Sequence, residues 1–471
     1  MDGLECSEIN RSELERTLRI DSEFYSKSAI KVSDMLQSRS HDLLTTFVNV
    51  SDGNHMGISD CFIDEGVPYY RGQDAGAFFI ENSTPICINE KTFELPVMKR
   101  SHLKKGDVIL SIVGTIGSLS LVYSDKSATC SCKLAILRPK EGKSAELLAT
   151  FLRGKYGQAQ ITRFTRGAVQ KGLILEDMDQ LVVPTFGDGI VEAIKNAVQS
   201  AYQIQEKANI HYREAQRTLM NSVGSILVPA ESVSVRNIST SFYTTGRLDA
   251  EYYQPKYDIL FDELKKFSCK RLGGPNGIVN IKKSIEPGSE AYTEDGIPFV
   301  RVSDISKFGI SEPDIKLRSD IIPNPEVLFP PKDTILLSKD GSVGIAYKVE
   351  ATMPIITSGA LLHLKVRDKT EVLPDYLTLV LNSPVVQLQA ERDSNGAIIR
   401  HWKPSEIENV IIPILDMDTQ KEIAAKVQEA FTLRKQSKQL LEYAKQAVEM
   451  AIEQGEDVAL AWLKDKIPVE V

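Results

Sequence analysis

Continuous apolar runs occur at two well-separated places in the chain. Val108–Val113 and Thr334–Ser338 are almost wholly apolar, a pattern typical of short buried strands. A glycine pair follows each run, Gly114-x-x-Gly117 and Gly341-x-x-Gly344. These pairs predict tight turns between strands.

The same two regions continue in the same way. A helical pattern follows each turn, at Ala145–Gly157 and at Pro374–Leu388. A short apolar run ending in proline comes next, at Leu181–Pro184 and Val410–Pro413, and predicts a strand.

After each of these prolines the pattern becomes that of a long amphipathic helix. The first apolar stripe includes Ile190, Ile194, Ala197, Val198, Ala201 and Tyr202, and the second includes Ile423, Val427, Ala430, Leu440, Ala444, Ala447 and Ala451. A stripe with a 3.6-residue period over about 35 residues predicts a helix roughly 50 Å long. We expect the two helices to pair as an antiparallel coiled-coil-like spacer. The alternative is that each helix packs on its own domain.

The same order of predicted elements occurs in both halves because the two halves are similar in sequence. Five pairs of motifs recur in the same order at a spacing of roughly 226 to 230 residues. They are Arg19–Tyr25 with Arg247–Tyr253, Asp64–Arg71 with Glu294–Arg301, Gly106–Ser111 with Lys332–Leu337, Gly114/Gly117 with Gly341/Gly344, and Gly167/Pro184 with Gly396/Pro413. The chain is therefore predicted to be a tandem duplication of units near 1–226 and 227–471, with a pseudo-two-fold internal repeat.

The predicted fold class is α+β, with two globular α/β domains in tandem, each followed by a long α-helix. The expected boundaries are 1–186 for the first domain, 187–226 for the first helix, 227–415 for the second domain, and 416–471 for the second helix and a C-terminal tail.

Composition places the chain among soluble proteins. It is 42% hydrophobic and 25% charged, which is ordinary globular composition. It lacks the apolar run of about 18 residues that a membrane span needs, and Met1–Glu5 do not resemble a signal peptide. The six cysteines are scattered, as in reduced cytosolic proteins, so a cytoplasmic location is predicted. The net charge of −8 argues against a general nucleic-acid coat, but it allows local basic patches that read DNA.

Signatures of catalysis are not found. The sequence contains no phosphate-binding G-x-x-x-x-G-K-[ST] loop and no Asn-Pro-Pro-aromatic or Asp-Pro-Pro-aromatic tetrapeptide of amino-methyltransferases. Asp125 with Glu141 and Lys143 is the nearest approach to a magnesium-dependent nuclease site, and the corresponding Lys365–Asp368 does not repeat it. The chain is therefore predicted to be no enzyme, with no catalytic residue, no cofactor and no bound metal.

Several stretches resemble the specificity subunit of Type I restriction-modification systems. Asn395–Trp402, followed by Ile407 and Val410–Pro413, looks like the end of a target-recognition domain, and Gln420-x-x-Ile423-Ala424 looks like the family's conserved helix. The first copy, with Gly167–Leu173 and Pro184, fits more loosely because Gly187-Asp188-Gly189 replaces the Pro-x-x-x-Gln-x-x-Ile entry to the helix.

The resemblance implies a non-catalytic subunit that binds double-stranded DNA. Each domain would read one half of a bipartite target, and the paired helices would set the gap between the half-sites. Two methyltransferase subunits, which hold S-adenosylmethionine, would dock on the helices, and an ATP-dependent motor-nuclease subunit would be an optional further partner. The open alternatives are a recognition subunit of another restriction or phage-defence system, a self-contained enzyme, and a protein scaffold without DNA contact.

The repeat also sorts the candidate DNA-binding residues. Basic and amide side chains at equivalent positions are predicted phosphate contacts: Arg71 with Arg301, Arg163 with Arg392, Lys171 with Arg400, and Gln160 with Gln389. Side chains without an equivalent are predicted to read bases: Tyr70, Gln73, Gln170, Ser303, Lys339, Asn395 and His401. Lys104 and Lys105 form a further predicted phosphate patch. The aromatic pairs Phe24-Tyr25 and Tyr252-Tyr253 are interpreted as anchors of each domain's entry segment, with base stacking as the alternative.

Overall fold

The computed structural model describes residues 6–80, 85–167, 171–224, 233–396 and 399–467. The chain divides into two compact units. The first unit combines Met1–Glu206 with Arg434–Val471, and the second unit is Lys207–Leu433. Both divisions fall inside the long helices, so each of these helices contributes one part to each unit.

Among its described residues up to Glu206, the first unit contains ten strands, five shorter helices and the start of a long helix. The strands are β1 His41–Leu43, β2 Val48–Asp52, β3 Phe62–Ile63, β4 Val67–Tyr70, β5 Cys87–Ile88, β6 Val108–Ser111, β7 Leu119–Leu121, β8 Thr129–Cys130, β9 Leu134–Pro139 and β10 Val182–Pro184. The helices are α1 Lys27–Gln37, α2 Leu44–Phe47, α3 Glu90–Phe93, α4 Ala145–Arg153, α5 Lys155–Phe164 and the long helix α6 Asp188–Val223.

These strands form one main antiparallel sheet in the order β2-β9-β6-β7, a small sheet in the order β3-β5-β4-β8, and the pair β1-β10. Strands β4 and β8 are the parallel pair of the small sheet. The main sheet is covered on both faces. From β6, Val108 and Leu110 belong to the core that α4 and α5 complete, whereas Ile109 packs with Cys130 on the small-sheet side. Burial on both faces explains why this strand reads as an unbroken apolar run.

The second unit repeats this architecture. Its helices are α7 Phe242–Thr245, α8 Pro255–Leu264, α9 Pro374–Leu381, α10 Pro384–Asp393, α11 Pro404–Glu408 and the start of α12 Met417–Gln454. Its strands are β11 Cys269–Arg271, β12 Val279–Lys283, β13 Tyr292–Thr293, β14 Ile297–Val300, β15 Ile305–Ser306, β16 Gly309–Ile310, β17 Lys316–Leu317, β18 Ile335–Ser338, β19 Ala346–Lys348, β20 Ile356–Thr357, β21 Leu361–Val366 and β22 Ile411–Pro413.

Sheet topology confirms the internal repeat. The main sheet has the order β12-β21-β18-β19, the small sheet has the order β13-β17-β14-β20, and β11 pairs with β22. The parallel pair β14-β20 takes the place of β4-β8. The hairpin β15-β16 is an addition that has no counterpart among the described residues of the first unit.

The predicted helix after each sheet turn is wrong in one respect, because the structure has two helices there. The chain is extended at Gly154 between α4 and α5, and at Ser383 between α9 and α10. Pro384 favours this break because the residue before a proline avoids helical backbone angles. In the first unit, a Cβ atom on Gly157 would lie 2.5 Å from the Phe151 carbonyl oxygen, so glycine allows α5 to turn back closely on α4.

The two long helices pair within each unit as predicted. In the first unit, Ile194 and Val198 of α6 share the core with Ala447 and Ala451 of α12. The Ser437 hydroxyl donates a hydrogen bond to the Ala201 carbonyl at 2.8 Å. The backbone N–H of residue 187, just before α6, donates to Glu456 of the following helix α13 (Glu456–Lys466), also at 2.8 Å. Residue numbers thus fall along one helix as they rise along the other, so the helices are antiparallel.

The second unit contains the other parts of the same helices. Ala215 and Leu219 of α6 pack with Ile423 and Val427 of α12 in one core. Gln420, predicted as part of the family's helix motif, is buried, and its amide nitrogen donates to the carbonyls of Glu371 and Leu415, both at 2.9 Å. The bond to Glu371 fixes the start of α12 to the loop before α9.

The motif Arg-x-Asp-x-x-aromatic has an anchoring role in both units. Arg19 pairs with Asp21 and lies 4.5 Å from the centre of the Phe24 ring, and Arg247 pairs with Asp249 in the same way. Phe24 is buried and makes an edge contact with Phe164. The interpretation of the first aromatic pair as an anchor is therefore confirmed.

Candidate nucleic-acid interface

Four loops meet at one end of the main sheet in each unit. We call this region the four-loop surface. In the first unit it comprises residues 71–74, 112–117, 131–134 and 166–172, and in the second unit residues 301–304, 339–344, 358–361 and 395–401, apart from 168–170 and 397–398, which lie outside the described residues.

Backbone hydrogen bonds hold the loops of the first unit together. The N–H of Ser131 donates to the Tyr70 carbonyl at 2.9 Å, which joins the ends of β8 and β4. The N–H of Ile112 donates to the Lys133 carbonyl at 3.0 Å. The Thr115 hydroxyl donates to the carbonyl of residue 72 at 2.9 Å. Because each bond joins a different pair of loops, the surface is a connected structure.

Equivalent bonds are present in the second unit. The N–H of Ser358 donates to the Val300 carbonyl at 2.8 Å, and the N–H of Lys339 donates to the Ala360 carbonyl at 2.9 Å. A further bond of the second unit, from the N–H of Gly341 to the Arg400 carbonyl at 2.9 Å, joins the glycine turn to the last loop.

The last loop is a hairpin in both units. Arg166 and Gly172 exchange two backbone hydrogen bonds of 2.8 and 2.7 Å, and Asn395 and His401 exchange two of 3.1 and 2.7 Å. A glycine follows the first paired residue in both hairpins, after Arg166 in the first and after Asn395 in the second. Gly396 has a φ of +122°, and a Cβ atom there would lie 2.0 Å from the Ile399 carbonyl oxygen, so the turn requires glycine.

The predicted glycine turns are confirmed and support the hairpins. Gly117 and Gly344 have φ values of +86° and +89°. The amide nitrogen of Gln158 donates to the Gly117 carbonyl at 3.1 Å, and that of Gln387 donates to the Gly344 carbonyl at 2.8 Å. The glycine pairs therefore have a structural role.

The four-loop surface brings together ten of the predicted DNA-binding residues, in two separate sets. The described members are Tyr70, Arg71, Gln73 and Lys171 in the first unit, and Arg301, Ser303, Lys339, Asn395, Arg400 and His401 in the second unit, Tyr70 being the last residue before the first loop. Gln73, Lys171, Ser303, Asn395, Arg400 and His401 are exposed, and Tyr70 is half-buried. Burial raises the pKa of the Tyr70 hydroxyl, which therefore stays protonated and can act as a hydrogen-bond donor.

Carboxylates position several of these side chains. His401 Nδ1 lies 2.8 Å from Asp340 Oδ1, and the same Asp340 forms an ion pair with Lys339. Lys171 Nζ lies 3.6 Å from Glu23. Because Lys339 is only 12% exposed, it adds charge beneath the surface, whereas Arg400 and His401 lie at the surface itself.

Lys104 and Lys105 do not join this surface. They precede β6, whereas the loop 112–117 follows it, so they lie at the opposite end of that strand. Both are exposed, and Lys105 Nζ lies 3.4 Å from Asp125. Gln170 lies outside the described residues.

A DNA contact by Gln160 or Gln389 is contradicted by the structure. Gln160 is 6% exposed and Gln389 is 1% exposed. Each amide makes a pair of hydrogen bonds to one backbone residue of the last strand, Gln160 to Val182 and Gln389 to Ile411. The repeat preserved these glutamines because they hold β10 and β22 against the helices.

Replacing Gln389 by methionine, which keeps the length of the side chain, is expected to lower the free energy of unfolding by about 2 kcal/mol, because a buried N–H and C=O lose their partner. Urea unfolding followed by fluorescence measures this, since Trp402 is buried in the second unit. DNA affinity at a temperature well below the transition should not change. Reduced affinity with unchanged stability would contradict the structural role and favour a DNA-binding role instead.

Arg163 and Arg392 pack against aromatic rings of their own units and are half-buried. The Arg163 guanidinium lies 4.3 Å from the centre of the Phe24 ring, and its Nε donates to the Phe24 carbonyl at 3.0 Å. Burial lowers the pKa of Arg163. Arg392 lies 4.4 Å from the centre of the Phe261 ring. The structure thus gives these arginines a packing role, and because both are only half-buried, the expected phosphate contact stays a prediction.

Sequence reasoning missed the loop that begins at Ser131 in the first unit and at Ser358 in the second. Lys133 in this loop is exposed, and its carbonyl accepts the bond from Ile112. A signal was present, because Ser-x-x-Leu recurs at Ser131 and Ser358 with the same spacing as the glycine pairs.

Signs of other functions are few in the described parts of the chain. They contain no group of three or more histidine, cysteine, aspartate or glutamate side chains placed to hold a metal ion. Within the same ranges, no helix combines the length and the apolar character needed to cross a membrane.

Similarity to solved structures is widespread but weak. The chain is similar to a Type I restriction-modification system S subunit from M. genitalium, with 14% identity over 90% of this chain and 95% of that one and a TM-score of 0.35. It is similar to the HsdS subunit from Thermoanaerobacter tengcongensis, with 15% identity over 92% of this chain and 97% of that one and a TM-score of 0.27. A chain from a study of complex assembly in the type I R-M system has 16% identity over 92% and 98% and a TM-score of 0.28. Similarities this low carry no argument about function.

A family match is more specific. No curated protein matches the chain. Residues 265–443 match the family described as Type I restriction modification DNA specificity domain, and this range includes the main sheet and the four-loop surface of the second unit. Residues 265–443 are therefore similar to the DNA specificity domain of Type I restriction-modification systems, and this match confirms the resemblance that the motifs of the second half indicate.

Proposed function

We propose that this chain is the DNA-recognition subunit of a Type I restriction-modification complex and that each unit reads one half of a bipartite DNA target with its four-loop surface. The observation that carries the proposal is the duplication. The surface of the matched specificity domain, with its hairpin, glycine turn and arginine, recurs in the first unit, in loops that lie outside the match.

The chemistry of the surface suits duplex DNA. Arg71 and Arg301 occupy equivalent positions and suit backbone phosphates, which are the same at every base pair. Gln73 in the first unit, and Asn395 and His401 in the second, differ between the units and are exposed. Their amide and imidazole groups suit base edges in the major groove. Shared positions would position the duplex, and unshared positions would read its sequence.

The remaining parts of the proposal concern partners. Two methyltransferase subunits would dock on the long helices and bring S-adenosylmethionine, and a motor-nuclease subunit would bring ATP. The chain itself would do no catalysis and would hold no cofactor. A cytoplasmic location follows from this role, because the DNA and the partners are there.

Methylome sequencing of the host with and without the gene tests the proposal. A split adenine-methylated motif should disappear on deletion and return with the wild-type gene. Exchange of 6–186 for the equivalent segment of a relative should change one half of the motif only. Loss of no motif, although a partner methyltransferase is expressed, would overturn the proposal in favour of a protein scaffold.

A further inference from the structure

A fifth loop adjoins the four-loop surface in each unit. It begins at the last residue of β2 or β12 and comprises residues 52–55 in the first unit and 283–286 in the second. In the first unit, the N–H of Asn54 donates to the Cys130 carbonyl at 2.8 Å, and the Asn54 carbonyl accepts from the N–H of Cys132 at 3.0 Å. Because Cys132 belongs to the four-loop surface, the fifth loop lies at the same end of the main sheet.

The second unit has the same loop at the same place. Its Ile285 forms a parallel bridge with Ser358, which matches the bridge of Asn54 in the first unit. A Cβ atom on Gly359 would lie 2.5 Å from Glu286 Oε1, so this fifth loop also packs on a loop of the four-loop surface. Both fifth loops therefore extend the surface that each unit presents to DNA in the proposed function.

The charges on the two fifth loops are reversed. In the first unit, Asp52 Oδ2 lies 2.5 Å from His55 Nε2. In the second unit, Lys283 takes the place of Asp52, and its Nζ lies 2.8 Å from Glu286 Oε1. The first residue thus changes from a carboxylate to an ammonium group, and the fourth changes from an imidazole to a carboxylate. Because backbone phosphates are the same in every sequence, such a reversal suits the reading of different bases.

An arginine joins this pair in the first unit. It comes from the 3-10 turn Pro96–Ser101, and Asp52 Oδ1 accepts a hydrogen bond from Arg100 Nη2. The Asp52 side chain is 10% exposed, whereas those of His55 and Arg100 are 59% and 54% exposed. A nearly buried carboxylate thus holds two exposed side chains in place. The 3-10 turn before β18 in the second unit, Pro325–Leu328, contains no basic residue, so the arginine belongs to one unit and not to the repeat.

The Arg100 guanidinium retains donors for a ligand. Among the described residues, Asp52 is the hydrogen-bond partner found for it, and the bond uses a single N–H of Nη2. Whichever of the two Nη2 hydrogens is used, one edge of the planar fork keeps two parallel N–H groups. Such an edge matches O6 and N7 of guanine in the major groove. The bond to Asp52 fixes the direction of the fork before DNA arrives, which lowers the ordering cost of binding.

We propose that Arg100, oriented by Asp52, reads one guanine of the half-site that the first unit recognises, by donating two hydrogen bonds to O6 and N7. The inference rests on the proposed function and adds a specificity-determining residue outside the four loops. Asp52 is a positioning residue, because it acts through the arginine. The fifth loop of the second unit presents the carboxylate of Glu286 instead, so the second half-site is read without this contact.

Methylome sequencing of the host carrying the wild-type or the R100Q gene tests the proposal. With the wild-type gene, the half of the motif that depends on residues 6–186 should contain a guanine. With R100Q, that position should accept other bases, while the second half of the motif stays the same. On linear duplexes bound by the full chain, replacing this guanine by adenine should weaken wild-type binding roughly 10- to 100-fold and leave R100Q binding nearly unchanged.

Matched variants separate base reading from other effects. Glutamine at position 100 keeps a donor for Asp52, so the melting temperature of R100Q should stay that of the wild-type chain. K99Q removes the exposed positive charge next to Arg100 and should leave every motif position unchanged. D52N weakens the hold on the fork and should relax the same guanine position as R100Q.

The remaining outcomes are distinguishable. An equal loss of affinity for both duplexes in R100Q would overturn the proposal in favour of a phosphate contact. An unchanged motif and unchanged affinities in R100Q would overturn it in favour of an ion pair that only stabilises the fold, and would leave the proposed function intact. Absence of any methylated motif with the wild-type gene, although a partner methyltransferase is expressed, would overturn both.

Discussion

Replacing Asp375 by alanine is expected to lower the free energy of unfolding of the second unit by about 3 kcal/mol, because it leaves a buried ammonium group without its main partner. The Lys348 side chain is 7% exposed, and its Nζ lies 2.8 Å from Asp375 Oδ1. Gln428 of α12 donates to the other carboxylate oxygen at 2.9 Å. The carboxylate thus ties β19, α9 and the long helix together.

Two other acidic side chains limit the loss of stability in the D375A variant. Glu350 lies 3.3 Å and Asp333 lies 3.9 Å from Lys348 Nζ, so the ammonium group keeps weaker partners in the variant. Burial alone would lower the pKa of Lys348, but the hydrogen bond and the charge of Asp375 outweigh it, and the pKa is raised. The raised pKa contributes stability below the unfolded value near 10.4, which is lost as the pH rises through the folded pKa.

The first unit supplies the control. Leu121 occupies the position of Lys348 there and is fully buried, which shows that this place in the fold accepts an apolar side chain. The double variant K348L/D375L should therefore lose less stability than D375A alone. Urea unfolding in a W462F background isolates the fluorescence of Trp402, the tryptophan of the second unit. An exposed ion pair contributes up to about 1 kcal/mol. If D375A lowers the free energy of unfolding by less than that, the ion pair between Lys348 and Asp375 does not stabilise the second unit as expected.

Acidification is expected to remove about 3 kcal/mol from the stability of the second unit between pH 7 and pH 4 through one histidine. His363 lies in β21 and is 9% exposed, and its Nε2 lies 2.8 Å from the Thr357 hydroxyl. Burial, together with the positive charge of Lys282, lowers the pKa of His363 to about 4. In the unfolded chain this side chain takes up a proton near pH 6.5. The unfolded state therefore binds the proton first, and stability that is present above pH 6.5 is lost as the pH falls toward 4.

Ile136 at the same position of the first unit provides the matched variant. It is buried in β9, and its partner Ile109 corresponds to Leu336, the partner of His363. H363I should flatten the pH dependence of the second unit between pH 6.5 and 4 and leave the carboxylate titrations in place. An unchanged slope in H363I would assign the acid sensitivity to other groups.

The long helices and the strands that are buried on both faces could be predicted from the sequence. The strand Val108–Ser111 forms an apolar run, and α6 and α12 carry apolar stripes with a helical period. Both kinds of pattern occur once in each half of the chain, which makes them easier to recognise. The small sheets were not predicted, because strands such as β3 and β8 are two residues long and too short to show a period. The breaks between α4 and α5 and between α9 and α10 depend on local backbone angles, which the hydrophobic pattern does not indicate.

The candidate surface was predictable only in part. The repeat identified Arg71 and Arg301, which lie on the four-loop surface. It equally identified Gln160 and Gln389, because a polar side chain that binds the protein's own backbone is retained as strictly as one that binds DNA. Burial separates the two cases, and burial depends on tertiary structure.

The first unit is built from two separate segments of the chain, so the order of synthesis affects when its core can form. Its core contains Ala447 and Val448 of α12 and Leu463 of α13, which the ribosome adds only after the whole second unit. At about 5–20 residues per second, the first sheet would wait roughly 13 to 55 seconds for these side chains. During that time the stripe of α6 around Ile194 has no helix to cover it, although the second unit is contiguous and can complete itself first. We therefore expect the apolar core of the earlier half to stay incompletely covered until translation ends.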